Sequence, residues 1–282
     1  TLSISILVKK LEYKNKGGYM PKPKKKGAVA TASSTAVSEI NIADFLESNA
    51  GDGMQNVSTD DLKIPRLKIK QRVDDDAPED AKDGAIYNDT TLEVFEEGVK
   101  VIPCLYEKAY TQWVKDQGGF MGSHPATSDI LTRTKKDGSK DMLLDEDGKL
   151  TDNYIRTDAN FYVLYQSKDG GWKPATISMY VTQFKKAKQW NTVIKSQTLQ
   201  GKNGIFNPPS YAYTYDLSTK PENNDKNKWF GWVVETGEQV ADGTLLTTAK
   251  TLANSVRKGE VTAKPEDDGV VERSSTEDSG MI

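Results

Sequence analysis

The chain has 282 residues, a net charge of -3, only 36% hydrophobic residues and a mean hydropathy of -0.65. Its one cysteine, Cys104, and one histidine, His124, exclude a disulfide framework and a thiol- or histidine-rich zinc site. Thr1–Val8 is apolar but too short to cross a bilayer and poor as a signal peptide, and no other stretch is long and apolar enough to span one.

The first methionine is Met20. Lys16-Gly17-Gly18-Tyr19-Met20 back-translates to AAA GGA GGT TAT ATG, a bacterial ribosome-binding sequence before a start codon. Residues 1–19 are therefore expected to be translated leader, in a gene of a bacterium or a bacterial virus. Lys22, Lys24, Lys25 and Lys26 alternate with or follow prolines, and an Ala/Ser/Thr run reaches Ser38. Residues 20–45 thus read as a disordered basic arm.

Residues 46–258 read as a single β-rich domain. Ile40–Ser48 can form one or two helical turns. Leu62–Lys70 alternates apolar and basic side chains, the period of a strand with one buried face, with Pro65 placing it at an edge or bulge. Asp74–Asp83 is an acidic loop. Ala85–Phe95 and Val99–Tyr110 are further strands. Asp137-Gly138, Asp147-Gly148 and Asp169-Gly170 are turn signals, because Asp-Gly tolerates positive φ. Phe161–Tyr165 and Ala175–Tyr180 form a hairpin around the last of them.

Helical spacing then runs from about Val181 to Ser196, with Lys185, Lys186 and Lys188 on the polar side. Gly201–Pro209 breaks the pattern. Tyr211–Tyr215 is a strand with three tyrosines on one face, Pro221–Asn227 a polar loop and Lys228–Glu235 the next strand. Asp242 caps a last helix whose apolar stripe is Leu245, Leu246, Ala249, Leu252, Ala253 and Val256, with Gly259 as the stop. Residues 259–282 are an acidic tail without aromatics, expected to be disordered. The fold class is β-rich α+β, an OB-like barrel or sandwich with two or three added helices.

Catalytic motifs are scarce. The chain has no Walker phosphate loop. His124 has no nucleophile to serve, and Cys104 in an apolar strand reads as a buried small side chain rather than a thiolate. Asp145-Glu146-Asp147-Gly148 fits a hairpin turn better than a calcium loop, whose glycine falls later. No cofactor and no metal are expected.

Phe161–Trp232 holds 14 of the chain's 24 aromatics together with ten lysines and four acids, a local charge of +6. Aromatic faces beside ammonium groups suit unpaired nucleotides, because bases stack and phosphates are neutralised. The same composition also suits a β-rich core with a solvated rim. Phe161, Tyr165, Phe184 and Trp190 are assigned to the core. The candidate stacking residues are Tyr211, Tyr213, Tyr215, Trp229 and Trp232. The candidate phosphate contacts are Lys185, Lys188, Lys202, Lys220, Lys226 and Lys228. Lysines without arginines fit a binder indifferent to sequence.

Asn56–Leu67, Val101-Ile102-Pro103, Tyr106–Trp113 and Trp229-Phe230-Gly231-Trp232 resemble segments of poorly characterised tailed-phage proteins from replication regions, some labelled single-stranded DNA-binding. The resemblance covers roughly Asn56 to Lys258. It implies a non-enzymatic protein of replication or recombination that binds single-stranded DNA in the cytoplasm of a bacterial host, with an acidic tail that docks replication or recombination partners. In phage single-stranded DNA-binding proteins that tail often ends in an aromatic, whereas this chain ends in Met281-Ile282. A structural or host-interaction phage protein and a metal-dependent nuclease are the alternatives.

Overall fold

The structure, a computed structural model, describes residues 41–57, 63–72, 74, 76–115, 119–138, 140–225 and 227–263. The lysine-rich arm before residue 41, the tail after residue 263 and Lys226 lie outside the described residues. The chain divides into two units, Thr1–Gln55 and Asn56–Ile282. In the first, α1 (Ile42–Ser48) is a short helix that starts where Asn41 accepts a hydrogen bond from the Ala43 amide.

The second unit runs in chain order through β1 (Leu67–Ile69), β2 (Ile86–Asn88), β3 (Val94–Phe95), β4 (Val99–Val114), β5 (Phe120–His124), β6 (Thr134–Asp137), β7 (Lys140–Leu144), β8 (Leu150–Gln166), β9 (Trp172–Tyr180), α2 (Phe184–Ser196), β10 (Leu199–Gly201), β11 (Gly204–Phe206), β12 (Tyr213–Asn223), β13 (Lys228–Gln239) and α3 (Gly243–Arg257). All three Asp-Gly pairs stand in turns, between β6 and β7, β7 and β8, and β8 and β9. Asp242 caps α3 by accepting from the Thr244 and Leu245 amides.

Two long strands organise the antiparallel main sheet. β4 and β8 pair from Val101/Tyr165 to Val114/Asn153. Near one end β12 flanks β4 and β9 flanks β8, and β13 pairs with β12. Near the other end β5 flanks β4, and β7 and then β6 flank β8. The ribbon thus serves two halves, β13-β12-β4-β8-β9 and β5-β4-β8-β7-β6. The first half curls into a half-barrel. Its edges β9 and β13 are bridged by residues 65–71, about 20 Å of extended chain. At one end of this bridge the Pro65 carbonyl accepts from the Thr176 amide at 2.8 Å. At the other the Gln71 side chain donates to the Phe230 carbonyl at 3.1 Å and accepts from its amide at 2.9 Å. Gln183 accepts from the Trp232 amide at 3.1 Å. Two glutamines therefore stand where a neighbouring strand would satisfy the β13 edge.

The inner face of the half-barrel buries Val99, Val101, Phe161, Val163, Tyr165, Ile177, Met179, Tyr215, Leu217 and Trp232 beneath β1–β3 and α2. Trp190 of α2 fills this face, stacked on Phe161 at 4.2 Å and edge-on to Tyr215 at 5.7 Å. The outer face buries Ile102, Cys104 and Leu164 beneath Ala249 and Ala253 of α3. Phe161, Tyr165 and Trp190 are core residues and Phe184 packs against them. The α-helix starts at Phe184, three residues later than its periodicity suggests, because Val181–Gln183 forms a 3-10 turn entered at a Val181 φ of 47°. Gly201–Pro209 is not simply a break, since β10 and β11 lie within Leu199–Phe206 as a small separate hairpin.

Candidate nucleic-acid interface

Antiparallel register decides which of the candidate aromatics can meet. Glu222 pairs with Trp229 beside the turn, whereas Tyr213 pairs with Gln239 at the far end of the same hairpin. Tyr213 and Trp229 are thus about 30 Å apart at ~3.3 Å per residue and cannot form one platform. Tyr211 is not in the strand. It lies in the 3-10 turn Ser210–Ala212 and packs on the α3 side, while Tyr213 packs toward the inner core. Tyr215 and Trp232 are core residues, 0% and 3% exposed, and present no face to a base. They share the inner face because Trp232 pairs with Thr219, two positions past Leu217 and four past Tyr215. The three tyrosines therefore do not share one exposed face.

Trp229 remains. It is half-buried, and its indole Nε1 donates to Glu222 Oε2 at 3.0 Å. Glu222 Oε1 also meets Lys186 Nζ at 2.9 Å. Gly231 makes this arrangement possible, because a β-carbon there would come within 2.6 Å of Glu222 Oε2. The ion pair joins the start of α2 to the tip of the β12–β13 hairpin, where Lys220 and Lys228 are exposed. Lys186 is consumed by this contact.

The exposed face of α2 carries Lys185, Lys188, Gln189, Thr192, Lys195 and Ser196. No acid occurs from Gly170 to Tyr215, a run that holds six lysines. Lys173 pairs with Asp169 and Lys186 with Glu222. Among the described residues no ion pair holds Lys185, Lys188, Lys195 or Lys202. At the other end of α2, Asn207 Nδ2 donates to the Lys195 and Gln197 carbonyls at 3.1 and 3.0 Å and fastens the β10–β11 hairpin. Lys202 is exposed on that hairpin, and Phe206 is 47% exposed. The Phe206 ring rests against Gly201, where a β-carbon would meet it at 3.1 Å, so one side is supported and the other is open.

The candidate surface therefore follows α2, about 20 Å long at 1.5 Å per residue, with Trp229 near its start and Phe206 near its end. Lys185 and Lys188 lie on the first turns of α2, and Lys202 on the hairpin beyond its end. Lys220 and Lys228 lie at the adjoining hairpin tip, and Lys226 is outside the described residues. Lys195 and Phe206 were not among the residues singled out from sequence, although the acid-free run that contains them was there to be read.

No helix among the described residues is long and apolar enough to cross a membrane. Neither a curated protein nor a solved structure matches the chain. A family model described as Pam3 phage gp34-like protein matches residues 32–262. The chain is a bacteriophage protein and belongs to the Pam3 phage gp34-like family.

Proposed function

We propose that the protein binds single-stranded DNA without catalysis, during phage replication or recombination in the host cytoplasm. The strand passes along α2, with phosphates on Lys185, Lys188, Lys195 and Lys202 and bases against Phe206 and Trp229. The observation that carries this reading is the lysine face of α2, free of acids and ending in an aromatic on either side. Stacking is worth about 1–3 kcal/mol per base and tolerates any sequence. A run of about 20 Å accommodates about six stacked nucleotides at 3.4 Å each.

The half-barrel supports an OB-like reading. In chain order its five strands are β4, β8, β9, β12 and β13, the first pairs with the second and fourth, and a helix lies between the third and fourth. An OB-fold is likewise a five-stranded, partly open barrel, and it binds oligonucleotides over its second and third strands. Here α3 covers part of that outer face, which favours the neighbouring α2 surface. The acidic tail is proposed to dock replication or recombination partners.

Tryptophan fluorescence of the full chain, titrated with oligo-dT at two salt concentrations, tests the proposal. Quenching at low salt that weakens at high salt is expected. Its absence in full-length and tail-truncated protein overturns the reading, and Mg²⁺-dependent loss of the oligonucleotide would make the protein a nuclease. A structural or host-interaction role draws on a different observation. Phe120 and Met121 are 41% and 58% exposed on β5, which among the described residues pairs only with β4, and such an apolar edge suits a protein partner.

A further inference from the structure

We infer that the β10–β11 hairpin is a wedge that seats against the first base pair where single-stranded DNA meets duplex. The inference rests on the proposed α2 binding path and names the form of DNA at its end. Three observations carry it. The hairpin is a two-stranded sheet of its own, held to the end of α2 by Asn207 and followed by Pro208-Pro209, so it projects from a fixed base. Its two exposed apolar side chains, Ile205 and Phe206, occupy opposite faces, because neighbouring residues of a strand alternate. Phe206 pairs across from Leu199 and leans on Gly201, while Ile205 pairs across from Gln200 on the other face and is 74% exposed.

A platform for a single strand needs one apolar face. The outward face bearing Ile205 has no use in that path, yet it leaves a large aliphatic side chain in water beside its exposed cross-strand partner Gln200 and the exposed turn residues Lys202 and Asn203. An apolar side chain pressed on an unstacked base step recovers that exposed area, as in proteins that insert Phe, Leu or Ile between bases. Lys202 in the turn, within a stretch of chain that holds no acid from Gly170 to Tyr215, matches phosphate charge and sets the occupant as nucleic acid. The bound strand leaves the duplex along α2 on the Phe206 side, and Ile205 faces the terminal base pair or the displaced strand.

The full chain is titrated with dT of about eight nucleotides and with a fork carrying that strand as its arm, 2-aminopurine marking the first pair. The fork is expected to bind about fivefold tighter or more than the arm alone, with a rise in 2-aminopurine fluorescence. Ile205→Ser should remove both gains and leave affinity for the arm unchanged, and circular dichroism checks that the variant is folded. Equal affinity for fork and arm, or a gain that survives Ile205→Ser, overturns the wedge and leaves the α2 path standing. Failure to bind the single strand overturns both.

Discussion

Lys186 Nζ and Glu222 Oε1 are 2.9 Å apart, largely shielded from solvent, and Glu222 also accepts from Trp229. The carboxylate thus sets both the seat of α2 and the angle of the indole. Burial alone raises the Glu222 pKa, but the bonds from Lys186 and Trp229 outweigh it and hold the group below its ordinary 4.5. A depressed carboxylate pKa contributes stability above its unfolded value, and that contribution is lost as pH falls through the folded value. Melting temperature should therefore drop more for the native chain than for Glu222→Gln between about pH 6 and about pH 3. Glu222→Ala should cost about 1–3 kcal/mol, because Lys186 and the indole both lose their acceptor. An unchanged melting curve would remove Glu222 from this role.

Counterion release gives the α2 face a quantitative signature. If Lys185, Lys188, Lys195 and Lys202 each meet a phosphate, log affinity for oligo-dT should fall against log salt with a slope of about -3, at ~0.7 per contact. Lys188→Ala should flatten the slope by about 0.7 and weaken binding to all sequences alike. Lys136→Ala, in the β6–β7 hairpin, should leave it unchanged.

Cys104 sits at an irregularity of β4 between Pro103 and Leu105, under α3. Burial pushes its thiol up to about 12. At about pH 8 almost no thiolate forms in the folded chain, so a thiol reagent can reach it only when the structure opens. Labelling should be slow in buffer and should accelerate in denaturant in step with unfolding. Fast labelling of the folded protein would place Cys104 at the surface.

Local features were legible in the sequence and register was not. The Asp-Gly turns, the Asp242 cap and the α3 stripe each depend on residues a few positions apart. Tyr213 and Trp229 stand 16 positions apart, and a flexible loop between them would have allowed contact. Instead β12 extends to Asn223, and the tight turn sends Trp229 back against Glu222. Burial of Tyr215 and Trp232 depends on α2 and β1–β3 closing the inner face, which no alternation within their own strands encodes. The β10–β11 hairpin leaves no periodic signal, because its strands are three residues long and contain two glycines. Lysine pairing was hidden for the same reason as register: Lys186 meets an acid 36 positions away.

Arg156 joins the two halves of the sheet. Its guanidinium lies 4.4 Å from the centre of the Trp113 ring and 4.2 Å from that of Tyr180, and its Nε donates to Asp158 at 2.7 Å. Asp158 also accepts from Thr111, whose hydroxyl accepts from the Trp113 indole. Arg156 and Asp158 are 8% and 3% exposed. At such burial the attraction between the charges does little more than offset their desolvation, but an unpaired survivor is costly. Arg156→Ala should therefore cost about 3–5 kcal/mol in a urea melt, partly through the two lost ring contacts. Arg156→Lys should recover only part, since an ammonium cannot lie flat between two rings and grip both carboxylate oxygens. The double variant Arg156→Met, Asp158→Leu should be less destabilised than the sum of its single changes. Strict additivity would mean that the two groups act independently and that Arg156 stabilises through its rings alone.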